Sequence, residues 1–288
     1  MKGRERELPV SGKKRRRSEG PVKFIISLLC ALLMFYPIIV VILGGFKERG
    51  QISIDPFGFP NPPTLETYRL ILIASSEYWR LLLNSIIVAA STISIVLVFS
   101  MAAGIALSRI EFPGRRLLFN FFIMGMLFPL TVAILPLYLQ LRDLGLIGSR
   151  LGVIVSEAAF KLPLGIFIFT GFFREIPREL QDACSIDGGG ILTFFRKIVI
   201  PISTPVVSTV SIIVFVESWN QFLLPLLVLA DAKSYTIPLG IMQYQGQFAS
   251  GWNQIMAFIT LSILPIAIFY FLMQKYVIEG LTAGAVKG

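Results

Sequence analysis

Residues 179–190 read Glu-Leu-Gln-Asp-Ala-Cys-Ser-Ile-Asp-Gly-Gly-Gly, a polar stretch in an apolar chain. Leu180, Ala183 and Cys184 are spaced i, i+3, i+4, which marks one face of a short helix. Glu179 and Asp182 lie off that face, where a partner can reach them. Asp187-Gly188 is a turn signal, since glycine takes positive φ without a steric penalty, and Gly189 extends it. Ile191, Phe194, Phe195 and Ile198 then repeat at i, i+3, i+4, i+7, with Arg196 and Lys197 beside them and Pro201 beyond. The pattern predicts a helix-turn-helix lying along a membrane face. A helix resting on lipid would show the same periodicity, but anionic lipid repels the acids of the first arm. The residue chemistry favours a protein-docking element.

Catalysis has few candidates. The chain has no histidine, which removes imidazole acid/base chemistry, the Ser-His-Asp arrangement and HExxH zinc sites. It has no GxxxxGK[ST] segment, so it does not bind ATP by that motif. Of the two cysteines, Cys30 falls in an apolar run and Cys184 in the polar loop, which suggests no disulfide framework. Three further polar groups stand out. Glu217, Trp219, Asn220 and Gln221 interrupt a long apolar run. They read either as a substrate path, with an aromatic beside amides, or as a helix break at depth or at the outer boundary. Glu157 and Lys161 are spaced i, i+4 and are expected to neutralise each other inside a bundle. Gln243-Tyr244-Gln245-Gly246-Gln247-Phe248 is an uncharged, amide-rich stretch expected to be an outer loop.

The elements that must position these groups are membrane spans. Hydrophobic residues make up 55% of the chain and charged ones only 15%, well below the charged share of about 25% usual in soluble domains. The net charge of +9 lies mostly in the first 23 residues, so it reads as a topology signal or a contact with anionic lipid, not as a nucleic-acid surface. A crossing helix needs about 20 apolar residues. Six stretches meet that: Phe24–Phe46, which reads as an uncleaved first span, then Leu81–Leu107, Leu117–Leu141, Leu151–Phe173, Ile198 to about Ala230, and Ile255–Met273. Lys and Arg in the connections number 18 on the side of the basic tail and 7 on the other, so both termini are expected in the cytoplasm. The expected organisation is a basic tail at 1–23, a first span at 24–46, an outer loop at 47–80, a helical core at 81–273 containing the loop 178–197, and a cytoplasmic tail at 274–288. The recurrent prolines in the spans predict kinks that neighbouring helices tolerate. The run Ser100–Ala106 predicts a close helix contact. The fold class is thus an all-α polytopic bundle.

At residue level the chain resembles a known family. Asp182-Ala183-Cys184, Asp187-Gly188-Gly189, Phe195, Ile198 and Pro201 are similar to the EAA loop of ATP-binding-cassette importer permeases, whose pattern is EAA, D-G-A, a phenylalanine and I-x-L-P. Asp182 stands at the glutamate position, one methylene shorter, and Cys184 and Gly189 replace two alanines. Ser218–Phe222, Thr236–Gly240 and the terminal Gly280–Gly288 resemble carbohydrate-uptake permeases of the maltose-transporter type. The resemblance spans Phe24 to Gly288. It implies a six-helix importer subunit of the bacterial or archaeal cytoplasmic membrane, carrying a carbohydrate such as an oligosaccharide or glycoside. It implies that the 178–186 helix couples to an ATPase, with Glu179, Asp182, Ala183, Cys184, Asp187, Gly188 and Gly189 at that contact. It also implies that Gly280, Leu281, Thr282, Ala283, Gly284 and Lys287 reach an ATPase interface, and that Gln243, Tyr244, Gln245 and Gln247 meet a sugar-binding protein. The implied partners are a second, related permease, two ATPase subunits, an extracytoplasmic sugar-binding protein and membrane lipid. The chain itself would hold no cofactor, since ATP and Mg would be bound by the ATPase subunits, and it would not be an enzyme. A permease for another small solute fits the loop alone. A secondary transporter would show inverted repeats or paired broken helices, and neither is apparent.

Overall fold

A computed structural model describes residues 21–247 and 251–285. Every described element is helical, as a chain in hydrocarbon requires, because only a helix satisfies all backbone groups within one segment. The helices are α1 (Pro21–Gly45), α2 (Glu77–Arg109), α3 (Arg115–Met126), α4 (Leu130–Asp143), α5 (Arg150–Glu175), α6 (Arg178–Ile186), α7 (Ile191–Ile202), α8 (Thr204–Trp219), α9 (Leu223–Val228), α10 (Ile237–Gln247) and α11 (Trp252–Ala285). Short turns at Gln51–Ile54 and Glu66–Arg69 lie in the connection between α1 and α2.

Four of these, α1, α2, α5 and α11, are single helices long and apolar enough to cross a membrane. The remaining crossings are bent pairs. α3 and α4 meet at 102°, and α7 and α8 at 72°. The third span, expected over Leu117–Leu141 with its prolines as kinks, turns a corner. Its cause is Pro129, which has no N–H to donate and whose ring blocks the preceding turn. The end of α3 closes on itself instead, with Leu127 N–H donating to Met124 O at 3.1 Å. In the fifth run the expected break appears, since α8 ends at Trp219 and α9 resumes at Leu223. A second break at Ser203, between Pro201 and Pro205, separates α8 from the amphipathic arm that holds Ile198.

The core is built around α2 and α5, which approach closely over small residues. A side chain added at Gly165 would sit 2.8 Å from Ser100 Oγ and 2.9 Å from its Cβ. One added at Gly104 would sit 2.9 Å from Phe169 Cβ. The run expected to make a tight contact does so. α8 and α11 close a second core, where Phe215 stacks on Phe269 with ring centroids 4.0 Å apart. The outer rim is tied by Asn84, whose amide donates to Lys233 O and Tyr235 O, both at 2.9 Å, and accepts from Arg150 at 2.7 Å. α1 leans mainly on α11, with Tyr36 stacked on Phe57 and the Tyr68 hydroxyl at Ile42 O, and no residue of its apolar window is buried in the single chain, which leaves lipid or another subunit to cover it.

The close α2–α5 approach makes a specific prediction. Gly165→Val should destabilise the purified chain by about 1–3 kcal/mol through overpacking. Gly171→Val carries the same helix-propensity change at a site with no neighbour within 4 Å, and should leave stability unchanged. Thermal denaturation in detergent distinguishes them. Equal effects at the two sites would contradict the packing.

Candidate functional site

The polar stretch 178–197 forms the expected helix-turn-helix. α6 starts after Pro177, whose extended backbone ends the turn from α5. It is closed by a Schellman motif: Gly189 N–H donates to Cys184 O at 2.8 Å and Gly188 N–H to Ser185 O at 3.0 Å. Gly188 has φ +79°, a conformation that costs a side-chain-bearing residue energy. Cys184 is the buried residue of α6, and its sulfur fills the space at Gly189, where a Cβ would lie 2.6 Å from it. The larger cysteine and the smaller glycine compensate for each other. Leu180 and Ala183, on the same face of the sequence pattern as Cys184, are exposed. The outer face of α6 therefore carries Glu179, Asp182, Ala183 and Ile186, the last 86% exposed. Two acids beside an apolar tip, held at a fixed spacing on a helix, suit a complementary basic cleft.

The loop is fastened to the bundle at both arms. The last carbonyls of a helix lack intrahelical donors. At the end of α5, Arg109 supplies them from the last position of α2: its guanidinium donates to Phe173 O at 2.5 Å and to Ile176 O. The same guanidinium lies over the ring of Phe194 in α7, 5.9 Å from its centroid. Phe173, Ile176, Cys184, Phe194 and Val199 share one buried cluster with α2 and α8 residues. The sequence offered no sign of this role, because Arg109 at the end of an apolar run reads as a topology charge.

Inside the bundle the polar groups pair differently from expectation. Lys161 forms an ion pair with Glu217 of α8 at 3.5 Å, while Glu157 accepts from Ser218 of α8 with Thr92 of α2 beside it. The expected Glu157–Lys161 neutralisation is thus corrected to a ladder of ties from α5 to α8. Trp219 is also corrected. It is 3% exposed, stacks on Phe215 at 5.3 Å and donates its indole N–H to Ser262 O at 3.3 Å, so it is a core residue. Asn220 is exposed, Gln221 is half-buried and caps Leu223 N–H at 3.2 Å, and Glu217 keeps half its side chain exposed.

On the outer side, residues 243–247 are helical rather than a loop. Tyr244 is buried against Phe258, with ring centroids 4.5 Å apart. Burial, with the Glu77 charge nearby, raises its phenol above the ordinary range. The Gln243 side chain is half-buried, and the backbones of Gln245 and Gln247 continue α10. Phe248 lies outside the described residues. Gly280, Leu281, Thr282, Ala283 and Gly284 belong to α11, whose backbone stays helical through Ala285. Lys287 lies outside the described residues.

A helical membrane bundle with an acidic helix clamped to its cytoplasmic side is the architecture of an importer's membrane subunit. The family model for the binding-protein-dependent transport system inner membrane component matches residues 95–282, from α2 to α11. The chain belongs to that family, and is a non-catalytic, multi-pass inner-membrane permease subunit. It is similar to the sulfoquinovosyl glycerol transport system permease protein of Agrobacterium fabrum, 32% identical over 94% of this chain and 95% of that one. It is also similar to the trehalose/maltose transport system permease protein of Thermococcus litoralis, 32% identical over 91% of this chain and 95% of that one. A crystal structure of a bacterial ABC transporter that imports alginate shares the fold, with a TM-score of 0.77 at 24% identity, covering 93% of this chain and 99% of that one.

Arg109 generates the prediction for this site. A hydrogen bond to a charged group is worth about 1.5–3 kcal/mol, so Arg109→Ala should speed amide exchange across 177–195 by roughly tenfold or more. Hydrogen–deuterium exchange on the purified chain measures it. Unchanged exchange there would show that the loop is held by its apolar contacts alone.

Proposed function

We propose that this chain forms one half of the translocation pathway of an ATP-driven importer for a carbohydrate, an oligosaccharide or glycoside, and that a separate ATPase drives it through α6. The observation that carries this reading is the acidic, exposed face of α6, on a loop bonded to the ends of both α2 and α5. A movement imposed on α6 then passes to helices that cross the membrane, because the loop cannot shift without breaking bonds at its root. Glu179 and Asp182 meet a basic cleft of the ATPase, Ala183 and Ile186 fill it, and Cys184, Asp187, Gly188 and Gly189 hold the shape. The Gly280–Gly284 segment, with Lys287, makes a second contact with the same partner. ATP and Mg are bound by the two ATPase subunits.

The carbohydrate assignment draws support from relatives named as transporters of sulfoquinovosyl glycerol and of trehalose and maltose. Glu217, Asn220 and Gln221 at the end of α8 form the path side. A half-exposed carboxylate at bundle depth is incompatible with lipid, so it faces water between this chain and a second, homologous permease. Together with Lys161 it supplies donors and acceptors to sugar hydroxyls. On the outer face the helix holding Gln243, Gln245 and Gln247 receives the sugar-binding protein.

Gly188→Pro tests the coupling role. Proline fixes φ near −65°, opposite in sign to the +79° found, so the cap of α6 fails. The expected result is normal membrane insertion with loss of ATPase co-purification and of ATP-dependent sugar uptake. Full ATP-coupled uptake by the variant would refute the assignment.

A further inference from the structure

A cavity of about 840 Å³ opens at the cytoplasmic ends of α2, α3 and α5, apart from the coupling face of α6. It is lined by Arg115, Arg116 and Arg174, by Phe112, Leu117 and Phe119, and by Asn120 and the single acid Glu111. Arg115 is fixed by donating to Leu107 O at 2.6 Å and Ser108 O at 3.2 Å. Arg174 lies over Phe119, its guanidinium carbon 4.9 Å from the ring centroid. Among the described residues neither Arg116 nor Arg174 has a carboxylate within ion-pair distance. Three arginines thus line one opening, none of them ion-paired among the described residues, and two of the three are already held by other contacts.

What continues from this opening is apolar. α3 buries no residue in the single chain. Leu117 and Phe121 are 74% and 63% exposed, and Leu118 41%. A cationic mouth at the foot of an exposed apolar helix, at the level where the chain leaves the bilayer, is complementary to an amphiphile with an anionic head. Basic pockets between membrane helices on the cytoplasmic side bind lipid head groups for this reason. Planar guanidinium forks also match phosphate oxygens two at a time.

We propose that this cavity is a binding site for the phosphodiester head of an anionic phospholipid, with Arg116 and Arg174 on the phosphate, Asn120 on the glycerol or head-group hydroxyls and the acyl chains along Leu117 and Phe121. The bound lipid wedges the α2–α3 hairpin against the end of α5, next to the root of the coupling loop. The proposal does not depend on which solute is carried.

Native mass spectrometry of the full-length chain tests it, with phosphatidylglycerol and phosphatidylcholine offered in equal amounts. The wild type is expected to retain phosphatidylglycerol preferentially. The double variant Arg116→Gln/Arg174→Gln should lose about 5-fold of that preference per arginine, roughly 30-fold in all. The variant Arg116→Lys/Arg174→Lys keeps the charge and guards against a folding defect; it should keep a reduced preference. Millimolar inorganic phosphate should not displace the lipid. Equal retention of both lipids by the wild type, or an undiminished preference in the glutamine variant, would overturn the proposal. Displacement by phosphate would overturn the lipid assignment in favour of a soluble phosphate compound. If the glutamine variant kept its lipid and lost the ATPase subunit, the arginines would belong to a protein interface instead.

Discussion

A helix leaving the bilayer ends in carbonyl groups that no longer have donors of their own, and in this chain one guanidinium supplies the donors for the end that matters. Arg109 closes the end of α5 and lies against Phe194, so the two arms of the 178–197 loop meet on a single side chain from a third helix. Without that bond, α6 would be a short helix on a flexible tether. With it, α6 becomes the exposed end of a rigid frame whose members are α2, α5 and, through α7, α8. The shared cluster of Phe173, Ile176, Cys184 and Phe194 adds apolar burial to the same joint.

The frame extends to the other end of α8. Lys161–Glu217 and Glu157–Ser218 tie α5 to α8 inside the bundle, within the last turn of α8, which ends at Trp219. Phe215, Trp219 and Phe269 then lock α8 to α11. α8 is thus held at its cytoplasmic end by the loop and at its far end by polar and aromatic contacts. Its broken ends, at Ser203 and Asn220, are where a change in helix direction costs least, because the backbone hydrogen bonding is already interrupted there. A subunit that must open and close a path on command needs this combination of stiff rods and pre-broken joints.

The apolar runs of α1, α2, α5 and α11 were legible because hydrocarbon imposes a length and a composition. The helix-turn-helix at 178–197 was legible because its periodicity and its turn glycine agree with each other. The corner between α3 and α4 was not, although Pro129 was in view. Pro37, Pro136, Pro163 and Pro265 sit inside helices that continue through them, so proline alone does not say which helix will turn. Glu157 and Lys161 are adjacent on α5, and spacing favoured their pairing; Glu217 and Ser218 from α8 competed and won. Trp219 looked functional beside two amides, whereas the large apolar ring was better satisfied in the core. Arg109 was invisible because its partners are backbone carbonyls, which carry no sequence signature.

The account turns on what α6 touches. Its most direct test is a photo-crosslinking residue placed at position 182 in the full chain, expressed with its natural partners in the membrane and irradiated. The account predicts an adduct whose mass is this chain plus the nucleotide-binding subunit, dominant over any lipid adduct. Adducts to lipid alone, with the ATPase present and active in the same membranes, would contradict it.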